Sequence, residues 1–191
     1  MSGQRIEAIW RRVSVRRFRP DPVPEELVNL VLEAGTRAPT GGNMQPWEFL
    51  VVTDDELRQK LVAETYSGFY SGPGNPQLWI GTAPLLIIVL CNYKRTLARY
   101  GPDAFKWAPL DVAAATQNMI LTAVEAGLGC CWIGGFRAEA VCHLLGLPEL
   151  VKPVGYLPIG WPAETPLPKP RLPLRLITHR NAYGTPHFPT P

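Results

Sequence analysis

Apolar residues at Leu27, Leu30, Val31 and Ala34 recur at intervals of three and four. That spacing predicts one buried face of a helix, with Pro24 suited to its first position and Gly35 offering a stop. Ile6, Ile9 and Trp10 share a face in the same way and predict a short first helix that ends where a run of arginines begins. Residues 48–52, EFLVV, read as a strand. Thr53 followed by Glu56 has the form of a capping box, so a helix is predicted over 54–64. "PLLIIVLCNY" is apolar without alternation, as expected of a strand covered on both faces. "PLDVAAATQNMILTAVEAGLG" is apolar nearly all round and predicts a helix that is central or lies at a subunit interface. "CCWIGGF" predicts a strand entering a glycine turn, and "AEAVCHLLGL" a short helix. "VKPVGYLPIGW" carries two prolines and predicts an edge or bulged strand. Residues 66–77 are rich in Gly, Ser and Pro and read as a mobile loop. Residues 94–106 show no clear period.

Helices come first, then strands alternating with helices. That order predicts an α+β or α/β layered fold. After Trp161 the density of proline predicts an extended arm. We therefore expect one domain over residues 1–165 and an arm of the same domain over 166–191.

Composition narrows the picture. The 191 residues are 46% hydrophobic, enough for a sizeable core, and the net charge is only +3. So mild a balance does not call for nucleic acid. The first ten residues lack an apolar signal core, and the apolar run 83–91 is too short to span a bilayer. A cytoplasmic protein with no membrane partner is expected. The four cysteines, Cys91, Cys130, Cys131 and Cys142, include no C-x-x-C pair, and with three histidines a zinc site is not expected. "GLGCCWIGG" approaches a dinucleotide fingerprint but has Trp132 at its third glycine and follows a helix instead of a strand.

Charge is concentrated locally. Arg11, Arg12, Arg16, Arg17 and Arg19 fall in nine residues with no acid among them. Alternation along an extended segment puts Arg12, Ser14 and Arg16 on one face, where two guanidiniums and a hydroxyl suit a phosphate. A solvated basic turn is the alternative. Lys169 and Arg171 form a second cationic pair on one face of the proline-rich arm. In "APTGGNMQPWEF", Gly41 and Gly42 permit close backbone approach to a ligand. Asn43 and Gln45 there offer amides suited to a heterocycle with mixed donor and acceptor edges. That stretch also reads as an ordinary helix-to-strand loop.

Taken in order, "RVSVRRF", "APTGGNMQPWEF", "DVAAATQNMILTAVEAGLGCCWIGGF", "LGLPE" with "PVGYLPIGWPAE", and "PKPR" resemble the FMN-dependent nitroreductase family from about residue 5 to about residue 171. The resemblance implies a nitroreductase-like mixed sheet flanked by helices, assembled as an intertwined homodimer with two FMN sites at the interface. It implies that Arg12, Ser14 and Arg16, with Lys169 and Arg171, hold the FMN phosphate and ribityl chain. It implies that Pro39, Thr40, Gly41, Asn43 and Gln45 reach the flavin from the partner subunit, Thr40 replacing the family's usual serine. It places Trp132, Ile133, Gly134 and Gly135 at the flavin, with the Gly134 N–H directed at N5. Many relatives carry an acidic residue where Gly134 stands.

The implied activity is two-electron transfer from NAD(P)H to a small flat acceptor (a nitroaromatic, quinone or enone) by a ping-pong mechanism, with no catalytic side chain. Dehalogenation, flavin destruction and flavin binding without turnover are the alternatives. Phe69, Tyr70, Phe105 and Trp107, from aromatic-bearing segments, are candidates to cover the acceptor. Lys94, Arg95 and Arg99 either steer a phosphorylated nicotinamide or solvate the surface.

Overall fold

A computed structural model describes residues 5–68 and 75–188. Its centre is a four-stranded sheet in the order β1-β2-β4-β3, where β1 is Trp47–Val52, β2 Leu85–Asn92, β3 Gly129–Cys130 and β4 Val151–Gly160. Neighbouring strands all pair antiparallel, with Trp47 opposite Cys91 and Leu85 opposite Ile159. The expected mixed character reduces to one isolated parallel bridge, between Ser14 and Cys130.

Helices cover both faces. Ile87, Val89 and Cys91 of β2 point to one core with α2 (Glu25–Thr36) and α5 (Ala104–Glu125). Leu86, Ile88 and Leu90 point to the other, with α3 (Asp55–Ala63) and α6 (Ala138–Leu144). This is why β2 is apolar without alternation: both of its faces are buried. Fully burying each such side chain contributes roughly 1.5–3 kcal/mol.

Several expectations are corrected. The first helix, α1 (Glu7–Arg11), buries only Ala8, and Ile6, Ile9 and Trp10 face outward. Pro24 lies just ahead of α2, and Gly35 lies within the helix instead of stopping it. Gly35 is glycine for packing: a Cβ there would stand 2.8 Å from Phe49 Cζ and 3.0 Å from Met119 Cγ. The cap of α3 is Asp54, whose carboxylate accepts from the Leu57 N–H at 2.6 Å.

Residues 93–100 form a helix, α4 (Tyr93–Tyr100), where no period was evident. Its inward positions, Tyr93, Thr96, Leu97 and Tyr100, do have helical spacing, but two tyrosines and a threonine disguise it. Helix α5 begins at Ala104 and carries Pro109 within it. Its buried line runs through Ala104, Ala108, Val112, Ala115, Met119 and Ala123, while Phe105, Trp107 and Leu110 are exposed.

Strand β4 is interior, not an edge. It is bulged, since Val89 faces Gly155 and Leu90 faces Pro153, leaving Val154 as the extra residue. Pro153 is tolerated because β3 covers only Ile159 and Gly160 on the other side. Among the described residues, no helix is long and apolar enough to cross a membrane.

Candidate functional site

The fold sorts the five arginines. Arg11 pairs with Glu125 at 2.5 Å, and Arg19 pairs with Asp21 at 3.4 Å and lies over the Trp161 ring. Arg12, Arg16 and Arg17 make no ion pair among the described residues. Arg12 and Arg16, but not Arg17, line a cavity of about 540 Å³. Ser14 lines the same cavity, and Lys169 and Arg171 enter it from the arm. Ile9, Trp10, Val13 and Leu167 form its apolar wall. Four cations and a hydroxyl thus converge, with no carboxylate among the lining residues. Unpaired cations gathered this closely repel one another, so an anion between them is strongly favoured.

The arginine segment is tied to the glycine turn. Val15 donates its N–H to the Cys130 carbonyl at 3.0 Å, and Ser14 bridges Cys130. The neighbouring Cys131 thiol is raised by burial, with Arg16, the Ser14 hydroxyl and Arg12 opposing that shift. Three residues later the chain turns at Gly134 and Gly135. Ile133 exchanges backbone hydrogen bonds with Tyr156 at 2.9 Å, which fixes one side of the turn. The Gly135 carbonyl accepts from the Tyr66 N–H at 2.9 Å, which fixes the other. Between them Gly134 is exposed, its N–H has no hydrogen-bond partner among the described residues, and a Cβ there would meet nothing within 4 Å. Trp132 packs over Gly155, whose missing side chain leaves room for the indole.

The loop of Pro39–Gln45 does not line this cavity. It lies against α4 and the start of α5. The Gly41 N–H donates to Asp111 Oδ2 at 3.1 Å, and the Gln45 N–H to Thr40 Oγ1 at 3.3 Å. Burial raises the Asp111 carboxyl, and the Gly41 N–H pulls it back down. Asn43 and Gln45 have positive φ, 59° and 48°, a conformation that non-glycine residues hold only at a cost. The Gln45 amide donates to Asn43 Oδ1 at 3.1 Å. The crowded glycine is Gly42, not Gly41: a Cβ on Gly42 would stand 2.6 Å from Tyr100 Oη, whereas one on Gly41 would make ordinary contact at 3.6 Å.

Arg95 is part of this loop's support. Its guanidinium donates to the carbonyls of Gln45 at 2.8 Å and Trp47 at 3.2 Å, and pairs with Glu48 at 3.1 Å. Local sequence carries no sign of these roles, because Arg95 and Asp111 act on residues 50 and 70 positions away. Phe105 packs on Tyr93 with ring centroids 4.9 Å apart, and Trp107 meets Tyr100 edge-on at 5.1 Å. Both therefore accompany the loop and not the cationic cavity. Phe69 and Tyr70 lie outside the described residues. The structure thus presents two groups: the cations with the glycine turn, and the amide loop with the α4–α5 aromatics.

The sequence model described as the Nitroreductase family matches residues 9–161. An oxygen-insensitive NADPH nitroreductase of Salmonella typhimurium is 31% identical over 187 residues, covering 93% of this chain and 74% of the relative. An NADPH-flavin oxidoreductase of Vibrio harveyi is 32% identical, with the same coverage. The solved structure of an NADPH:FMN oxidoreductase from Vibrio harveyi, complexed with NAD+, superposes with a TM-score of 0.81 at 29% identity, covering 93% of this chain and 77% of that one.

Proposed function

The chain belongs to the nitroreductase family, and we propose that it holds FMN with its phosphate among Arg12, Ser14, Arg16, Lys169 and Arg171. It is an NAD(P)H-dependent oxidoreductase. One observation carries the cofactor reading: Arg12 and Arg16, which make no ion pair among the described residues, line one cavity with Lys169 and Arg171 and with no carboxylate. A dianionic phosphate is the group that such a cluster fits. When bound, FMN supplies two-electron exchange between NAD(P)H and a small flat acceptor, a nitroaromatic, quinone or enone, in ping-pong order.

The protein's residues then have separate tasks. Arg12, Arg16, Lys169 and Arg171 neutralise the phosphate, and Ser14 adds a neutral hydrogen bond. The free N–H of Gly134, in the turn from Trp132 to Gly135, is assigned to flavin N5, where a fixed dipole stabilises developing negative charge. Pro39, Thr40, Gly41, Asn43 and Gln45 are assigned to the flavin ring of a partner subunit in a homodimer. This assignment is supported by their separation from the chain's own cationic cavity. Phe105 and Trp107, half-exposed beside that loop, supply flat apolar surface for the acceptor. No side chain is assigned as nucleophile, acid or base.

The test is a visible absorption spectrum of the purified protein, repeated without air after adding NADH or NADPH. A flavin spectrum that bleaches is expected. A colourless protein that cannot be reconstituted with FMN overturns the reading. Arg12→Ala combined with Arg171→Ala should release FMN from a folded protein. Full occupancy in that variant would remove the phosphate assignment.

A further inference from the structure

We propose that Glu164 is a positioning residue for the phosphate end of the cavity. The proposal rests on the phosphate assignment made above. One carboxylate oxygen of Glu164 accepts from two consecutive backbone amides, Arg16 N at 2.6 Å and Arg17 N at 3.1 Å. Both are charge-assisted bonds, stronger than bonds between neutral groups. They fix the backbone at the residue whose side chain must point into the cavity.

The placement of Glu164 is selective. A carboxylate beside so many cations would ordinarily pair with one of them and cancel it. Glu164 makes no ion pair among the described residues; its charge is spent on backbone N–H groups. It lines the neighbouring cleft, with Val15, Val124 and Leu128, and not the cationic cavity. The guanidiniums of Arg12 and Arg16 therefore remain available to a phosphate.

Glu164 also governs the second half of the cluster. Residues 17–19 pair with the start of the arm: the Arg19 N–H donates to the Trp161 carbonyl at 2.8 Å, and the Ala163 N–H to the Arg17 carbonyl at 2.9 Å. Glu164 comes next. Beyond it, among the described residues, every hydrogen bond of the arm stays within the arm. Glu164 is thus the last hydrogen-bonded anchor before Lys169 and Arg171 turn back to the cavity. A single side chain sets the positions of both cationic pairs.

The experiment titrates FMN and riboflavin into flavin-free protein and follows flavin fluorescence. The ratio of the riboflavin Kd to the FMN Kd isolates the phosphate's contribution. Glu164→Ala should lower that ratio roughly tenfold, equivalent to about 1.4 kcal/mol, with riboflavin affinity nearly unchanged. Glu164→Gln keeps an acceptor oxygen and should retain most of the ratio.

An unchanged ratio in Glu164→Ala, an equal loss for both flavins, or a Gln variant as impaired as Ala would each overturn the proposal. If Glu164→Ala does not fold, Glu164→Asp, one methylene shorter, reads the same ratio. Failure of the phosphate assignment itself looks different: the unmodified protein would show no preference for FMN over riboflavin, and the proposal would fall with it.

Discussion

Gly129→Ala tests whether the packing of β3 holds the arginine segment in place. A Cβ on Gly129 would stand 2.8 Å from Val15 Cβ, Cγ1 and Cγ2 alike. Carbon atoms prefer about 3.5–4.0 Å, so Val15 would have to retreat by roughly 0.7–1.2 Å. It cannot do so by rotating. Its side chain is β-branched and stiff at χ1, is 5% exposed, and its N–H is bonded to the Cys130 carbonyl. The displacement must pass into the backbone that carries Arg12, Ser14 and Arg16.

Overpacking of this kind costs about 1–3 kcal/mol, while the stiffer unfolded chain returns about 0.4–1 kcal/mol. For a chain of this size the remainder, at most about 2.6 kcal/mol, lowers Tm by up to roughly 10 °C. FMN affinity should fall about tenfold, as expected if one charge-assisted hydrogen bond is weakened. The assays are thermal unfolding of the flavin-free protein and FMN titration. Gly35→Ala is the control, since its Cβ would crowd Phe49 and Met119 between α2 and α5. It should lose stability but retain FMN affinity. If Gly129→Ala is destabilised but binds FMN as tightly as the unmodified protein, the Val15 contact does not position the arginines and the reasoning is refuted.

Gly42→Ala should destabilise the protein by about 1–2 kcal/mol, the cost of a side chain in a left-handed conformation, because φ at Gly42 is 56°. Gly41→Ala should change stability by less than about 0.5 kcal/mol; equal effects in denaturant titrations would contradict the crowding at Gly42. Asp54→Ala should cost about 1 kcal/mol through loss of the α3 cap, with Thr53→Ala near neutral, as read by the urea midpoint. Burial pushes the Cys91 and Cys130 thiols up to about 12, from an ordinary value of 9.0. The unfolded chain therefore holds fewer protons than the native one between those values, and stability should fall as pH rises from about 9. Unfolding measured under reducing conditions from pH 8 to 11 checks this, and Cys130→Ala should flatten the slope.

The fold was legible wherever burial alone decides residue type. Strand β2 has no polar interruption because both of its faces are covered, and α2 shows its stripe because only one of its faces is. Reading failed where a local role and a packing role compete. Tyr93, Thr96 and Tyr100 are inward residues of α4 that do not look like core. Gly35 looks like a helix stop but is a packing glycine. Pro153 suggests an edge, yet β4 is interior, because its other neighbour, β3, is only two residues long and pairs far from Pro153. Ile6, Ile9 and Trp10 share a face as their spacing predicts, but periodicity does not say what a face meets: none of the three joins the core, and Ile9 and Trp10 wall the cavity instead.

The candidate site divides along the same line. The two-residue period of an extended segment puts Arg12, Ser14 and Arg16 on one face, and all three line the cavity, although Val13 between them lines it too. Which arginines are free to act depends instead on where carboxylates fall in space. Glu125 takes Arg11, Asp21 takes Arg19, and Glu164 spends itself on backbone amides. Two of those three acids lie more than a hundred residues from the arginines they serve. The same holds for the amide loop, whose shape is set by Asp111 and Arg95 from α5 and α4. Local spacing identifies the groups that touch a ligand. The residues that free, aim and neutralise those groups become visible only once the chain has folded.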